Sequence, residues 1–213
     1  MTHPLLEILL EAARGRPPAA DGRIDVLPAL QGPVDAVVTF PARAYLVADV
    51  DPDLVRGRLR PGDPGAPTLP AFVTWLAEQV GGRAGQLDAV LAAPALEGPP
   101  PLPLDARDDL TRHHRVARAG RYRTHLRVFS SGGDGAVLVL GRGLAGRWEA
   151  AFEVEPERRG RGVGRALALA ARHLVPPDQP VFVQVSPGNA ASLRAVLAAG
   201  YVPIGSEVLI PRG

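Results

Sequence analysis

The stretch Glu153 to Leu167, which reads EVEPERRGRGVGRAL, decides the fold of this chain. An apolar run, Trp148 to Val154, leads into a proline-containing turn, and three glycines at alternate positions follow that turn. The next segment, Val163 to Leu174, is rich in alanine and leucine, which favours a helix. The stretch therefore predicts a strand, a glycine loop and a helix in succession.

A glycine loop that opens a helix suits an anionic ligand. Glycine has no side chain, so the backbone can pass close to a bound group. The first amides of a helix have no partner within the helix and lie at the positive end of its dipole. Arg159, Arg161 and Arg165 add permanent positive charge nearby, which suits a pyrophosphate.

Three phosphate-binding patterns compete for this loop. A Walker A loop requires Gly-Lys followed by Ser or Thr, and the chain contains no lysine. A dinucleotide fingerprint requires G-x-G-x-x-G and an acidic residue about twenty positions further on. Here the spacing is G-x-G-x-G, and the next predicted strand, Val181 to Val185, ends at Ser186. Arg159, Gly162 and Gly164 satisfy the third pattern, Arg/Gln-x-x-Gly-x-Gly/Ala.

With this third pattern, the second half of the chain resembles the GNAT N-acyltransferase superfamily. Trp148 to Leu174 is similar to the family's fourth strand, pyrophosphate loop and third helix, and Pro180 to Ser186 is similar to its fifth strand. Asn189 to Leu193, followed by Gly200-Tyr201, is similar to its fourth helix. The resemblance implies an α/β chain with an α+β mixed sheet and a GNAT fold in the C-terminal half.

A proline-rich segment, Pro99 to Pro103, predicts a stiff connector between two halves. We expect a smaller α+β accessory half at 1–98 and an acyl-CoA-binding GNAT domain at 104–213. The acidic turn Asp49 to Asp53 is similar to Glu153 to Glu157, and both halves order helix, three strands, helix, strand. The first half is therefore a degenerate GNAT-like copy, or short acidic turns resemble one another by chance.

Apolar periodicity predicts the elements of both halves. In the first half it predicts helices at Pro4–Ala13 and Leu69–Val80 and strands at Ile24–Leu27, Ala36–Phe40, Ala44–Val50 and Leu87–Ala92. In the second half it predicts helices at Asp105–Ala119, Val163–Leu174 and Ala190–Ala199 and strands at Thr124–Phe129, Ala136–Leu140, Arg147–Val154 and Val181–Val185. Asp105 is expected to cap the first of these helices. Turns are expected at Arg60–Pro67 and Ser130–Gly135.

The last predicted strand, Tyr201 to Ile210, has no following strand to pair with. A GNAT domain normally finishes in two strands, and an exposed sheet edge is a liability. We therefore expect residues of the first half, or a second subunit in a homodimer, to cover it.

The resemblance implies that the cofactor is an acyl-CoA, most commonly acetyl-CoA, whose thioester is attacked directly by an amine. It also implies that the pantetheine arm pairs with the backbone of the strand Trp148 to Val154. The cofactor-binding residues implied are Phe152, Val154, Arg159, Gly160, Arg161, Gly162, Val163, Gly164, Arg165, Asn189 and Ser192. Asn189 is also expected to cap the following helix.

Glu149 and Glu153 are the candidate catalytic residues. An alkyl amine is mostly protonated at neutral pH, so a base must accept its proton, and the family often uses a glutamate of the fourth strand. The two glutamates alternate to the same strand face, away from Trp148. The family's usual base position falls on Trp148, so Glu149 fits only if a bulge shifts the register by one. Glu149 is the favoured base of the two, and a structural, solvent-facing role is the alternative for either glutamate.

The family's usual general acid, a tyrosine of the fourth helix, is missing, because its position is occupied by Val196. Tyr201 is expected to pack in the core. Departure of the thiolate unaided or protonated by water is one alternative, and an acid from another segment is the other. His113 and His114 lie in the region that the family uses for acceptor binding.

Composition restricts the remaining classes. With no cysteine, the chain has no disulfide and no thiolate metal site, and we expect a cytoplasmic protein without a metal. No stretch approaches the roughly eighteen apolar residues of a membrane span. A net charge of +2 does not by itself favour nucleic acid. The arginines from Arg112 to Arg127 are expected to form a solvated face, with a contact to a ligand phosphate as the alternative. The expected partners are an acyl-CoA and a small-molecule or peptide amine, and a CoA-binding regulatory protein without catalysis is the alternative.

Overall fold

In the computed structural model, residues 2–60, 62–132 and 135–212 form six α-helices and ten β-strands. The helices are α1 (Pro4–Ala13), α2 (Pro52–Arg58), α3 (Pro70–Gln79), α4 (His114–Gly120), α5 (Val163–His173) and α6 (Ala190–Ala198). The strands are β1 (Ile24–Leu27), β2 (Val34–Phe40), β3 (Arg43–Val47), β4 (Leu87–Ala93), β5 (Asp105–Ala106), β6 (Thr124–Ser130), β7 (Ala136–Arg142), β8 (Trp148–Val154), β9 (Val181–Val185) and β10 (Val202–Pro211). The predicted strand, loop and helix around Glu153 to Leu167 are therefore confirmed.

The chain divides into two compact units, of which the first contains Met1–Val90 and Ile204–Gly213. The strands of this unit are ordered β1-β3-β2-β10. β1 is parallel to β3, and the other two pairs are antiparallel. In its core, Phe72, Val73 and Leu76 of α3 pack against the sheet. The sheet residues of this core include Val37, Leu46, Val208 and Ile210.

The pairing of β10 with β2 confirms that the first half supplies a partner for the last strand. The register joins six residue pairs, from Ser206↔Thr39 to Pro211↔Val34. Val208 and Ile210 are buried in the core of the first unit. The last strand is therefore part of the first unit rather than an exposed edge.

The second unit contains Leu91–Pro203, and its strands are ordered β9-β8-β7-β6-β5. β8 is parallel to β9, and the other pairs are antiparallel, so this sheet is also mixed. The predicted α+β class with a mixed sheet is confirmed. The connector Pro99 to Pro103 lies inside this unit and contains no helix or strand. The division at 98 and 104 into an accessory half and a GNAT domain stays a prediction.

Helices cover the two faces of the second unit's sheet. Val116 and Ala119 of α4 pack with Val137 and Val139 of β7 on one face. α5 contacts β7 and β8 on the opposite face, where Gly164 lies near the ring of Phe152. Because side chains alternate along a strand, odd-numbered residues of β8 face α4 and even-numbered ones face α5. The faces of β8 therefore have different chemistry.

The prediction of a helix from Asp105 to Ala119 is wrong at its N-terminal end. Asp105 lies in β5 and pairs with Ser130, and α4 begins only at His114. Nδ1 of His113 accepts a hydrogen bond from the backbone N–H of Arg115, so histidine replaces aspartate as the cap. An Asp near a helix is a weak signal because Asp also favours turns and strand ends.

The short helix α2 is a further difference from the sequence prediction. α2 was not predicted, and it begins where Asp51 accepts a hydrogen bond from the N–H of Asp53 and Pro52 occupies the first turn. The predicted turns Arg60–Pro67 and Ser130–Gly135 lie partly outside the described residues. In the described part of the chain, no helix is both long enough and apolar enough to cross a bilayer.

We predict that a fragment of residues 104–213 does not fold as a soluble monomer. In this fragment β10 lacks β2, and Val208 and Ile210 lose the core in which they are buried. Exposed apolar side chains on an unpaired strand favour aggregation. Size-exclusion chromatography and urea unfolding beside the full chain measure this. A monomeric fragment with a cooperative transition would contradict the prediction.

Candidate functional site

The loop between β8 and α5 leaves open space beside its backbone. Gly160 and Gly162 have φ angles of 73° and 81°, a left-handed conformation that L side chains rarely adopt. A Cβ atom built on either glycine would meet no atom of the described residues within 4 Å, its chain neighbours aside. Gly162 is the N-cap of α5, and no side chain among the residues that the structure describes caps this helix. The first-turn amides of α5 are therefore available to a ligand that enters this space.

Arginine side chains surround this loop. Arg159 donates from Nε to the carbonyl oxygen of Val154 at 2.8 Å, which fixes its charge beside the end of β8. Arg158 donates to the carbonyl oxygen of Ser131 at 3.0 Å. Arg161 and Arg165 are exposed at the N-terminus of α5. The loop thus combines free amides with two exposed arginines and two arginines held by backbone carbonyl groups, which suits a phosphate.

β8 and β9 pair only where they begin. Trp148 pairs with Val181 and Glu149 with Phe182, and within residues 135–212 no later pair joins these strands. β8 nevertheless pairs with β7 along its whole length, from Trp148↔Arg142 to Val154↔Ala136. The backbone of β8 from 150 to 154 therefore lacks a ladder partner on its β9 side. An extended ligand could pair with this edge.

A buried ion cluster lies where the two strands part. Glu149 accepts hydrogen bonds from Nε of Arg123 at 2.7 Å and from Nε of Arg147 at 2.8 Å. It also accepts one from the backbone N–H of Leu144 at 3.1 Å. The side chains of Glu149 and Arg147 are 4% and 0% exposed. Both carboxylate oxygens are thus engaged inside the protein.

The surroundings of Glu149 favour the ionised carboxylate. Burial by itself would raise the pKa of the Glu149 carboxyl. The charges of Arg147 and Arg123, with the hydrogen bonds they donate, outweigh burial, so the pKa lies well below its usual range. This environment favours a structural role over proton transfer. A solvent-facing structural role was the alternative expected from the sequence, but the Glu149 side chain is buried.

The turn between β7 and β8 is shaped around this carboxylate. Any Cβ on Gly143 would collide with the carboxyl group of Glu149. Ala145 adopts a φ of 56° in the same turn, which is uncommon for a residue other than glycine. The β7–β8 register is continuous from Trp148 to Val154, so no bulge shifts Glu149 toward the base position that the sequence analysis considered.

Glu153 has a more open environment on the same face of β8. Its Oε2 lies 2.6 Å from Nε2 of His114 and 3.3 Å from Nε of Arg115. The side chain of Glu153 is 23% exposed and that of His114 is 70% exposed. The rings of His113 and His114 stack with their centroids 4.8 Å apart. A carboxylate paired with an exposed imidazole has a route by which a proton can reach solvent.

The residues in and beside α6 have clear local roles. Oδ1 of Asn189 accepts from the backbone N–H of Ser192 at 3.1 Å, which confirms Asn189 as an N-cap. Val196 is fully buried, and Tyr201 is buried with its hydroxyl donating to the carbonyl oxygen of Ala168 at 2.9 Å. Burial raises the pKa of the Tyr201 hydroxyl, so this side chain belongs to the core, as expected.

The sequence patterns do not indicate Arg123, Arg147 or Gln184 as site residues. Nη2 of Arg123 donates to Oε1 of Gln184 at 3.1 Å, so Arg123 joins β8 to β9 through their side chains. Arg123 belongs to the arginine cluster that was expected to form a solvated face, yet its side chain is only 10% exposed. The alternation Arg147-x-Glu149 on a strand was the available signal, because it places opposite charges on one face.

Comparison with known proteins finds structural likeness only. No family model and no curated protein matches the chain. A GNAT-family acetyltransferase structure from Novosphingobium aromaticivorans DSM 12444 is similar at a TM-score of 0.41 and 16% identity, over 62% of this chain and 68% of that chain.

Two GCN5-related N-acetyltransferases give comparable values. The structure from Sphaerobacter thermophilus has a TM-score of 0.40 and 20% identity, over 66% of this chain and 55% of that one. The structure from Kribbella flavida has a TM-score of 0.40 and 16% identity, over 66% and 63%. At these values no activity is transferred from them to this chain.

We predict that Glu149→Gln destabilises the second unit at neutral pH by about 3–5 kcal/mol, because it removes the buried negative charge that pairs with both Arg147 and Arg123. A lowered pKa stabilises the folded state above the unfolded value of about 4.3, and this contribution is lost as pH falls toward the folded value. The difference in unfolding free energy between the wild type and Glu149→Gln should therefore shrink below about pH 4.

Urea unfolding measures the stability of the second unit when it is monitored by the fluorescence of Trp148 in a Trp75→Phe background. Glu153→Gln is the matched control, since its partly exposed pair should contribute about 1 kcal/mol or less. Equal stability of the two glutamine variants at pH 7 would contradict the structural role of Glu149.

Proposed function

We propose that this protein is an acyl-CoA-dependent N-acyltransferase of the GNAT type, with acetyl-CoA as the expected acyl donor. One observation carries the proposal. An open loop with left-handed Gly160 and Gly162 precedes α5, and the strand that leads into this loop, β8, parts from β9. A phosphate site beside an unpaired strand edge suits a ligand with a pyrophosphate and an extended amide-containing arm.

The pyrophosphate would lie at the N-terminus of α5. The backbone N–H groups of Val163, Gly164 and Arg165 would donate to it, and the open space beside Gly160 and Gly162 would receive it. The exposed side chains of Arg161 and Arg165 could close over the phosphates, whereas Arg159 is engaged with Val154.

The pantetheine arm would follow the free edge of β8. Its amides would pair with the backbone between residues 150 and 154, which includes Phe152 and Val154. Asn189 and Ser192 lie at the start of α6 beyond β9, and the cap uses Oδ1 of Asn189 but leaves its amide nitrogen available. The thioester would then lie near the point where β8 and β9 part.

The reaction is direct transfer. The amine nitrogen attacks the thioester carbonyl carbon and forms the C–N bond. The C–S bond breaks, its electron pair leaves with sulfur as the CoA thiolate, and the amine proton passes to a base or to water. Backbone N–H groups at the strand edge would stabilise the negative charge that develops on the carbonyl oxygen.

Of the two candidate bases, Glu153 has the more suitable surroundings. Glu149 is held by two arginines and a backbone amide, so its lone pairs are occupied. Glu153 is partly exposed and contacts the exposed His114, so it could accept a proton directly or through water and release it to solvent. Glu149 would then position the site rather than act in proton transfer.

A second candidate function is CoA binding without catalysis, as a regulatory or interaction protein. Two observations favour it: Glu149 is sequestered in an ion cluster, and Val196, where the family places its acid, is fully buried. CoA release from acetyl-CoA, measured with a panel of small and peptide amines, separates the two functions. Binding without release above the amine-free rate would favour the regulatory function.

We predict that Gly162→Asp abolishes acetyl-CoA binding without unfolding the protein. The aspartate places a negative charge in the space assigned to the pyrophosphate, and a Cβ at this position meets no atom within 4 Å in the described part of the chain. Acetyl-CoA at about a hundred times its dissociation constant should stabilise the wild type by roughly 2.7 kcal/mol, visible as a thermal shift.

Gly98→Asp is the matched control for backbone strain. Gly98 has a φ of 82° and similarly open surroundings among the described residues, but it lies just before the connector rather than in the glycine loop. This variant should keep the full thermal shift. An unchanged shift in Gly162→Asp would refute the assigned loop.

A further inference from the structure

The side chain of Gln184 has an unusual environment beside the parting strands. Its Nε2 is buried and has no hydrogen-bond partner among the described residues. Buried amide groups normally find a partner, so an unpaired donor calls for an explanation. Gln184 lies in β9 two residues after Phe182, which belongs to the last pair that joins β9 to β8.

The orientation of this amide follows from chemistry. A guanidinium group can only donate, so the atom of Gln184 that faces Nη2 of Arg123 at 3.1 Å must be its oxygen. The nitrogen is then the atom that remains unpaired. Arg123 is itself fixed by Glu149, so the amide is held in one orientation by two successive side-chain contacts.

The direction of the side chain is also set. Phe182 lies under the guanidinium of Arg147, 5.0 Å from ring centroid to Cζ, and Arg147 binds Glu149. Residues two apart in a strand share a face, so Gln184 lies on the same side of the sheet as this ion cluster. Its amide is therefore positioned near the closed end of the groove between β8 and β9, where the two strands separate.

We propose that Nε2 of Gln184 donates a hydrogen bond to the carbonyl oxygen of the acyl group that the protein transfers. This inference rests on the proposed function and assigns it a binding residue. A thioester carbonyl offers only an acceptor, which complements a fixed donor without a partner. The donor needs no rearrangement when charge develops on that oxygen, so it would stabilise the transition state as well.

Gln184→Glu provides a sharp test, because it keeps the size of the side chain and an oxygen for Arg123 while it removes the N–H donors. Gln184→Met is the uncharged second variant. Gln179→Glu is the matched control, since Gln179 is also partly buried and its Oε1 also accepts from an arginine, Arg142, at 2.8 Å.

Two measurements are made on the full-length protein. Calorimetry compares acetyl-CoA with CoA, and we expect both Gln184 variants to weaken acetyl-CoA binding about tenfold with CoA binding unchanged. Carbon NMR of acetyl-CoA labelled at the carbonyl carbon reports the hydrogen bond directly. The resonance should move downfield on binding to the wild type and to Gln179→Glu, and should move less in both Gln184 variants.

The outcomes separate the two proposals. A wild type that binds neither acetyl-CoA nor CoA overturns the proposed function and this inference with it. A wild type that binds both, with variants that retain the acetyl-CoA affinity and the bound carbonyl resonance, overturns the role of Gln184 alone. Equal losses of acetyl-CoA and CoA affinity would also overturn it, because they would indicate a structural effect.

Discussion

The second unit depends on one buried ion cluster, in which Glu149 lies between Arg147 and Arg123. Removing three charged groups from water is costly, and such a cluster persists only when hydrogen bonds satisfy the remaining oxygens and N–H groups. Here the carboxylate accepts from both arginines and from the backbone of Leu144. The turn before β8 conforms to this requirement, because Gly143 leaves room for the carboxylate.

The position of the cluster links it to the candidate site. It lies at Glu149↔Phe182, the last pair between β8 and β9, and Arg123 continues from Glu149 to Gln184 on the neighbouring strand. A cluster of charged groups specifies one arrangement of strands more tightly than apolar packing of the same volume would. Each charged group requires a donor or an acceptor in a particular direction, whereas apolar contacts have no such requirement. The place where the strands part is therefore fixed by side chains and not only by backbone pairing.

Much of the fold and of the loop could be predicted from the sequence. The glycines before α5 and the apolar runs of β7, β8 and β9 are local signals, and the structure has these elements where the sequence predicts them. The cap by Asn189 and the core position of Tyr201 were also foreseen from residue type and place. In each case, the residue and its immediate neighbours in the chain determine the outcome.

The parts that could not be predicted depend on contacts between distant residues. Arg123 and Glu149 are 26 positions apart, and Arg123 and Gln184 are 61 positions apart. An arginine within a run of arginines resembles a solvated face, and only the tertiary fold shows that this one is buried. Glu149 was considered as a base because it follows directly after the family's usual base position, Trp148. Its place in the sequence does not show that Arg147 and Arg123 hold its carboxylate in the fold.

The polar groups near the parting strands are better suited to holding a ligand than to moving its proton. Glu149 is kept ionised by arginines, Val196 is an apolar core residue, and Gln184 does not titrate. Under the proposed function, the site would work chiefly by orientation and by fixed hydrogen-bond donors, and the amine would need to lose its proton through Glu153, His114 or water. An amine whose own pKa lies near neutrality would then be the better acceptor, because a larger fraction of it arrives uncharged.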